Sequence, residues 1–332
     1  MELVFHLSGE HPTIPKAEAL AFLAHRGAGP AVIADLDQVL VCRTERLEPS
    51  ILGGLAMTHA VLEHLGTCRA EHESIRALAA SVDPVKDTFS VRVRRIKQHS
   101  KGLSTLDLER SLGKEIKGNV DLRKPAVAIK GFLTSGRFVL GKELLQIRRS
   151  LFDGRRPHLR PFFHPSSLSP ALSRSLCNIC GAMPGKKVLD PFCGTGGLLI
   201  EAGLLGAEVF GMDIDERMVS GCRTNLEYFG LSGDVREGDA AEIGYRSFFD
   251  IVITDPPYGR SATTLGRGLE TLYEEAVGSI YSALKKGGVA CIISPHTVDL
   301  ADMARREGFT IVGTHLLRVH RSLTRRIVIM EK

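Results

Sequence analysis

A carboxylate, two prolines and an aromatic ring follow one another in the segment FDIVITDPPYG. Pro256 and Pro257 stiffen the turn and have no N–H, so carbonyl acceptors stand beside the carboxylate of Asp255. Together they can accept both hydrogens of an exocyclic NH₂ group on a planar heterocycle, on which Tyr258 stacks. Hydrogen bonds that hold this nitrogen partly pyramidal direct its lone pair toward an electrophile, so positioning and electrostatics carry the catalysis without a metal. A turn that merely ends a strand is the alternative.

A glycine-rich loop, VLDPFCGTGG at residues 188–197, is a second candidate site. Gly194, Gly196 and Gly197 allow a ligand to approach the backbone closely because they have no Cβ. Main-chain amides at the start of the following helix favour an anionic or polar group. The loop lacks the third glycine of the dinucleotide fingerprint, and Asp190 precedes it, so a nicotinamide cofactor is disfavoured. A tight turn with no ligand is the alternative for the glycines alone.

Two further acids stand at the ends of the strands that follow. Asp213 comes 19 residues after Gly194, where a carboxylate can accept hydrogen bonds from both hydroxyls of an adenosine ribose. Asp239 can accept from the exocyclic amine of adenine, whereas Asp215 is interpreted as a helix cap. Folding does not require carboxylates at three successive strand ends, so an adenosine-containing ligand is expected.

Strands and helices alternate in the part of the chain that carries these residues. Strands are predicted in KKVLDPF, AEVFGMDID, VREGDA, FDIVITDPPYG and GGVACIISP, and helices around 198–205, 216–229, 269–284 and 299–307. This alternation predicts an α/β fold with a parallel, doubly wound sheet, whose strand ends share one crevice. The last segment, 309–332, contains two strands joined by a basic turn and predicts an antiparallel hairpin at the edge.

The earlier part of the chain has a different pattern. Residues 1–70 alternate short strands and helical stretches, which indicates an α+β module. An arginine-faced strand, SVRVRRIK, then precedes a helix over 105–117 and a hairpin that turns at Ser135-Gly136. Residues 148–165 are rich in proline and arginine and are predicted to be a linker.

The net charge of +5 conceals a strongly basic segment. Residues 88–160 contain 18 Lys and Arg against 6 Asp and Glu, between two segments in which acids predominate. Such a segment is typical of phosphate binding, and its few aromatic residues favour recognition of helical shape and backbone over base stacking. A solvated strand face is the alternative. The candidate RNA-binding residues here are Arg92, Arg94, Arg95, Lys97, Lys101, Lys130 and Arg137.

Composition excludes several classes of protein. With 332 residues, 43% hydrophobic and 24% charged, the chain is an ordinary globular protein, neither disordered nor fibrous. No apolar run is long enough for a membrane span, and no signal peptide is evident, so a cytoplasmic location and no membrane partner are expected. Seven scattered cysteines do not form a disulfide framework. Cys177 and Cys180 are interpreted as buried helix thiols, and no metal site is predicted.

These motifs resemble a known family. DPFCGTG with Asp213 and Asp239 is similar to the S-adenosylmethionine site of class I methyltransferases, and DPPYG resembles their amino-methylating signature. FFHPSSLSP, at 162–170, is similar to the segment that walls the methionine end of the cofactor in related RNA methyltransferases. The basic block resembles a THUMP domain, a module of tRNA-modifying enzymes. Together these features resemble the archaeal tRNA guanosine-10 N2-methyltransferase family.

The resemblance implies an organisation of the whole chain. It implies a ferredoxin-like module at 1–70, a THUMP RNA-binding domain at 71–147, a linker at 148–165 and a Rossmann-like methyltransferase domain at 166–332. Partners would be tRNA and, as in eukaryotic relatives, a small zinc-containing activator subunit, which an exposed edge by the terminal hairpin could receive.

The resemblance also implies roles for individual residues. Asp255, Pro256, Pro257 and Tyr258 would be catalytic, and Arg260 would anchor a phosphate or the target nucleotide, or would only cap the turn. S-adenosylmethionine would be bound by Asp190, Phe192, Gly194, Thr195, Gly196, Asp213, Ile214, Asp239 and Ala240.

Other functions remain open at this stage. The same parts serve guanine-N2 enzymes that act at other tRNA or rRNA positions, and DPPY suits the N6 amine of adenine equally well. An RNA-binding protein without catalysis and a nicotinamide oxidoreductase are alternatives from other classes.

Overall fold

The computed structural model describes residues 1–45, 47–165, 167–258, 268–320 and 323–332. It divides into two compact units, Met1–Arg148 and Arg149–Lys332, each built around one sheet. No helix within these ranges combines the length and the apolar run that crossing a bilayer requires.

The first unit has an α+β fold. Within its described residues the strands form one sheet in the order β2-β3-β1-β4-β8-β7-β5-β6, in which β5 pairs in parallel with β6 and β7. A short 3₁₀ turn covers Pro49–Gly54. In chain order the elements are β1 (Glu2–Leu7), α1 (Ile14–Ala24), β2 (Ala31–Leu36), β3 (Val39–Arg43), β4 (Thr58–Arg69), α2 (His72–Ala80), β5 (Thr88–Arg95), α3 (Thr105–Glu115), β6 (Asn119–Val120), β7 (Val127–Thr134) and β8 (Arg137–Gln146).

Strand β4 was not predicted from the sequence, yet it is the longest strand of this unit. Its sequence, THAVLEHLGTCR, mixes histidine, glutamate and glycine with apolar residues, so no clean alternation marks it. β4 pairs with β1 on one side and β8 on the other. It therefore joins the elements of residues 1–70 and those of 71–147 in a single sheet.

The second unit is α/β, as predicted. It begins with α4 (Ser150–Asp153) and a 3₁₀ turn at Pro157–Leu159, and another such turn covers Ala240–Glu242. Its remaining elements are α5 (Pro170–Cys180), β9 (Lys187–Asp190), α6 (Gly197–Gly203), β10 (Glu208–Asp213), α7 (Glu216–Tyr228), β11 (Gly233–Glu237), β12 (Phe249–Thr254), α8 (Leu269–Ala283), β13 (Leu284–Pro295), α9 (Leu300–Glu307), β14 (Thr310–His320) and β15 (Leu323–Glu331).

The sheet of this unit has the strand order β11-β10-β9-β12-β13-β15-β14 in the part that the structure describes. The first five strands are parallel, and β15 is antiparallel to both of its neighbours, which confirms the predicted edge hairpin. β12 reads FDIVIT and is buried on both faces, as expected for the centre of a parallel sheet. Chain order reverses between β9 and β12, and ligands bind outside the carboxyl ends of strands at such a point.

Residues 149–165, which are all but the first residue of the predicted linker at 148–165, belong to the second unit. Arg155 donates from Nε to Oε1 of Glu201 over 2.7 Å, and Arg174 donates to the other carboxylate oxygen of this fully buried residue. Arg155, one of the arginines that suggested a linker, therefore forms an ion pair with a buried carboxylate and fastens this segment to α6.

Candidate active site

The carboxyl ends of β9, β10 and β12 open onto one cavity of about 730 Å³, a size typical of small-molecule sites, which span roughly 300–1,000 Å³. The DPPY residues and the predicted cofactor-binding residues, Gly196 excepted, line it together. Further lining residues that the sequence did not single out for this cavity include Leu269, Leu272, Thr297, Leu323 and Arg325.

Gly196 serves the loop through its conformation. It precedes α6 with a φ of 80°, in the left-handed region that favours glycine. A Cβ at this position would stand 2.6 Å from the Sγ of Cys222, on helix α7. Any other residue here would therefore both strain the turn and force the Cys222 side chain to move.

Asp213 ends β10, as predicted, and it is fixed by two backbone donors. Its Oδ2 accepts the N–H of Gly194 over 2.9 Å, and its Oδ1 accepts the N–H of Asp215 over 3.0 Å. Burial raises the pKa of Asp213, and these backbone bonds oppose that rise. Each oxygen keeps a lone pair for a further donor, so the carboxylate is held ready for a pair of hydroxyls.

Asp190 is buried beneath the loop. Its Oδ1 accepts from Oγ1 of Thr254 over 2.6 Å and from the N–H of Phe192 over 3.1 Å. Burial raises the pKa of Asp190 to about 7, and the neighbouring carboxylates of Asp213 and Asp255 add to the rise, while the two hydrogen bonds lower it.

Asp239 lies two residues beyond its strand, so the strand predicted over 235–240 ends too late. β11 ends at Glu237 because its parallel pairing with β10 stops at Asp213. Asp239 instead begins a 3₁₀ turn, where its Oδ1 accepts the N–H of Ala241 over 2.9 Å. Asp215 caps α7 by accepting the N–H of Arg217, which confirms its interpretation as a helix cap.

Asp255 follows β12 directly and is held from two sides. Oδ1 accepts a hydrogen bond from the hydroxyl of Tyr258, and Oδ2 lies 3.7 Å from Nη2 of Arg325, on β15. Burial raises the pKa of Asp255 to about 6, while Arg325 and then Tyr258 lower it. At neutral pH the carboxylate is therefore mostly ionised and able to accept hydrogen bonds.

Arg325 was missed by the sequence analysis. The segment RSLTRRI indicated only a basic turn, but the antiparallel register sets Arg325 opposite Pro295, at the carboxyl end of β13. Its guanidinium carbon lies 5.4 Å from the centroid of the Tyr258 ring, within cation–π range. Arg325 is 70 positions away from Asp255 in the sequence, so only the tertiary structure reveals that the two residues are neighbours.

The segment before α5 also reaches the cavity. His164, Ser167 and Leu168 line it, and the hydroxyl of Ser167 lies 2.9 Å from that of Thr195. α5 then begins at Pro170, after Ser169, whose hydroxyl accepts the N–H of Leu172. This placement agrees with the expected wall beside the glycine loop.

The C-x-x-C pair is predicted to consist of buried helix thiols without a metal ion. Cys177 and Cys180 are buried on α5, and both are free thiols. No group of three or more His, Cys, Asp and Glu side chains suited to a metal ion occurs in the described part of the chain.

The comparisons with known proteins agree with this geometry. Residues 157–327 match the family model of the RMKL-like methyltransferase domain. A tRNA (guanine(10)-N2)-dimethyltransferase of Methanothermobacter thermautotrophicus is 40% identical, with all of both chains covered. Another protein of that name, from Pyrococcus abyssi, is 36% identical, with 96% of each chain covered.

The chain belongs to the tRNA (guanine(10)-N2)-dimethyltransferase family.

A solved structure supports the fold of this family member. The crystal structure of TrmN from Thermus thermophilus superposes with a TM-score of 0.56, at 22% identity, and each chain is covered completely. The second unit thus has the class I methyltransferase fold that the glycine loop and the strand order indicated.

The basic residues predicted to bind RNA divide into two groups in the first unit of this family member. Three of them are engaged within the protein. Arg95 donates to the backbone carbonyls of His99, Ser100 and Leu103, Lys97 bonds Asp37, and Lys130 bonds Glu143.

The other group faces solvent. Arg92 and Arg94 alternate with the buried Val91 and Val93 on β5, and Arg92 lies 3.7 Å from Glu109. Arg94, Lys101 and Arg137 are exposed, and none of them has an ion pair with the residues that the structure describes. Arg260 and Gly259, the residues after Tyr258, lie outside the described residues.

Proposed function

We propose that this protein transfers methyl groups from S-adenosylmethionine to the exocyclic N2 of guanosine 10 in tRNA. The observation that carries the proposal is the junction of two subsites in one cavity. The carboxylates that suit an adenosine, Asp213 and Asp239, line the same cavity as Asp255 and the two prolines that suit an aromatic amine. Family membership over the full chain supports the nucleotide.

The residues of the cavity fit this cofactor. Asp213 is fixed by the amides of Gly194 and Asp215, and its remaining lone pairs can accept from the two ribose hydroxyls. Asp239 suits the adenine amine, and the glycine loop leaves room for the methionine part. When bound, S-adenosylmethionine supplies an electrophilic methyl group on a sulfonium sulfur.

The chain itself performs the remaining chemistry by positioning. Asp255 and the carbonyl of Pro256 accept the two hydrogens of the guanine amine, and the ring of Tyr258 stacks on the base. The nitrogen lone pair then points out of the ring plane, which lowers the barrier to N–C bond formation. The Asp255 carboxylate accepts the proton that the amine nitrogen loses.

Two surfaces complete the proposal. Exposed basic residues of the first unit, Arg94, Lys101 and Arg137, supply sequence-independent contacts to tRNA phosphates. The edge strand β14 exposes Val312 and Leu316 by 56% and 57%, which suits the docking of a small zinc-containing activator subunit. The proposed location is the cytoplasm, where the seven unbridged cysteines would remain reduced.

Nucleoside analysis tests the substrate. A tRNA transcript is incubated with the protein and S-adenosylmethionine, with and without a candidate activator subunit, and digested for mass spectrometry. We expect N2-methylguanosine or N2,N2-dimethylguanosine, and the ratio of the two reports how many methyl groups are added. N6-methyladenosine in place of these nucleosides would favour the adenine alternative and overturn the proposal.

A further inference from the structure

We propose that Arg325 is a positioning residue for the methyl-transfer reaction, holding the Asp255 carboxylate charged and the Tyr258 ring in place. This inference rests on the proposed function, since it assigns a task to the acceptor of the amine. It concerns a residue of the terminal hairpin, outside both sequence motifs of the cavity.

The first support is geometric. Nη2 of Arg325 lies 3.7 Å from Oδ2 of Asp255, on the side of the carboxylate away from the Tyr258 hydroxyl. The guanidinium carbon lies 5.4 Å from the centre of the Tyr258 ring. Arg325 therefore lies next to both partners of the Asp255–Tyr258 hydrogen bond, and its removal eliminates both contacts.

The second support is the environment of the arginine itself. Its side chain is only 14% exposed, and its buried Nε has no hydrogen-bond partner among the residues that the structure describes. A largely buried guanidinium with an unsatisfied donor is costly, and structural arginines are normally fully bonded. The 3.7 Å between Nη2 of Arg325 and Oδ2 of Asp255 is also too long for a direct hydrogen bond. The main contribution of the Arg325 guanidinium is therefore its positive charge and not a hydrogen bond to a neighbour.

The third support is the set of charged and titratable groups around Asp255. Tyr258 follows it in the loop, Tyr273 approaches from α8, Asp190 from the end of β9, and His296 lines the cavity after β13. Asp190 is an acid whose charge opposes ionisation of Asp255. Arg325 is the cation in this set that stays charged at every physiological pH.

Removal of the Arg325 charge should raise the pKa of Asp255. Burial raises the pKa of Asp255 and Arg325 is the largest influence that lowers it. Loss of a cation at this distance typically raises a carboxyl pKa by roughly 1–3 pH units. A rise of about two units from a value near 6 would cut the ionised fraction at pH 7 by roughly tenfold, with recovery at higher pH.

The test compares pH–rate profiles of the full-length protein at saturating tRNA, from pH 5 to 8.5. Arg325→Met and Arg325→Gln remove the charge, Arg325→Lys keeps it, and Arg326→Met removes a neighbouring charge that faces Val298 and Asp299 instead. We expect the acid limb of both neutral variants to move upward by roughly 1–3 pH units. Arg325→Lys and Arg326→Met should retain profiles close to that of the unchanged protein.

A second readout needs no catalysis. The protein is labelled with ¹³C at aspartate Cγ, the Asp255 signal is assigned by its loss in Asp255→Asn, and its titration midpoint is followed. A higher midpoint in the neutral variants supports the inference. An unchanged midpoint, or a neutral variant that loses activity equally at every pH, overturns it. Failure of the unchanged protein to methylate tRNA would instead contradict the proposed function, and the titration would still decide the role of Arg325.

Discussion

The hydroxyl of Thr254 donates a hydrogen bond to Oδ1 of Asp190 over 2.6 Å, and both side chains are buried. This bond joins the last residue of β12 to the last residue of β9. The strand that leads into the glycine loop is therefore tied to the strand that leads into DPPY. The cofactor subsite and the amine subsite share one rigid support.

Removing this bond should weaken cofactor binding. Thr254→Val keeps the shape of the side chain but leaves the N–H of Phe192 as the remaining donor to Oδ1 of the buried Asp190, at a cost of roughly 1–3 kcal/mol. We expect S-adenosylhomocysteine, measured by calorimetry, to bind about tenfold more weakly. Thr254→Ser, which keeps the hydroxyl, should bind nearly as well as the unchanged protein. Equal affinity of the valine and serine variants would show that the bond does not organise the site.

Asp255 should be required for methyl transfer but not for tRNA binding. Asp255→Ala removes an acceptor of the amine hydrogens, and loss of one such preorganised group typically lowers kcat by roughly 10²–10³-fold. Methyl transfer from labelled S-adenosylmethionine and tRNA affinity by filter binding measure the two effects. The matched control, Asp250→Asn, changes an acid at the other end of the same strand. Unchanged transfer by Asp255→Ala would exclude the proposed chemistry.

The buried acids of the cavity should make stability depend on pH. The pKa of Asp255, raised to about 6 by burial, lies above that of the unfolded chain, so its protonation favours the folded state. This stabilisation is complete below the unfolded pKa and is lost as pH rises through the folded pKa. Asp255→Asn does not titrate, so its advantage in melting temperature over the unchanged protein should grow between pH 5 and 8.

The expected growth is of order 1 kcal/mol, or roughly 2–4 °C for a unit of this size. Thermal denaturation at several pH values measures the difference between the two proteins. A difference that stays constant with pH would mean that Asp255 is not shifted upward.

The exposed basic residues should control tRNA affinity through salt. Replacement of Arg94, Lys101 and Arg137 by glutamine removes three cations, and each phosphate contact contributes roughly 0.7–0.9 to the slope of log K against log salt. We expect the slope to fall by about 2–3 and the affinity at low salt to fall accordingly. Arg110→Gln is the control, since it removes an exposed charge from α3 that pairs with Asp107. Parallel slopes for all proteins would move the RNA surface elsewhere.

Much of the site could be predicted because its residues are local in sequence. The glycine loop, Asp213 and DPPY each stand at the end of a strand with a strong apolar run, and a parallel sheet brings such ends together. The positions of β9, β10 and β12 follow from that pattern. The position of Asp239 relative to its strand could not be predicted, since strand pairing and not hydropathy determines where β11 ends.

The remainder depends on contacts that sequence patterns do not encode. Arg325 reaches Asp255 only because β15 pairs with β13 in one antiparallel register, and a shift by one residue would turn it to the other face. β4 is held by two neighbouring strands, and its own composition is too mixed to mark it. The proline and arginine content of residues 148–165 suggested a linker, because composition does not reveal a buried partner such as Glu201, which pairs with Arg155.

The most direct test of the central claim uses a tRNA in which inosine replaces guanosine 10. Inosine lacks only the 2-amino group, so the cavity would receive the same base without the atom that Asp255 holds. Transfer of labelled methyl groups is measured on this tRNA and on the matched guanosine-10 tRNA, together with binding of both. The proposed chemistry predicts methylation of the guanosine tRNA at position 10, no methylation of the inosine tRNA, and similar binding of the two. Equal methylation of both would contradict it.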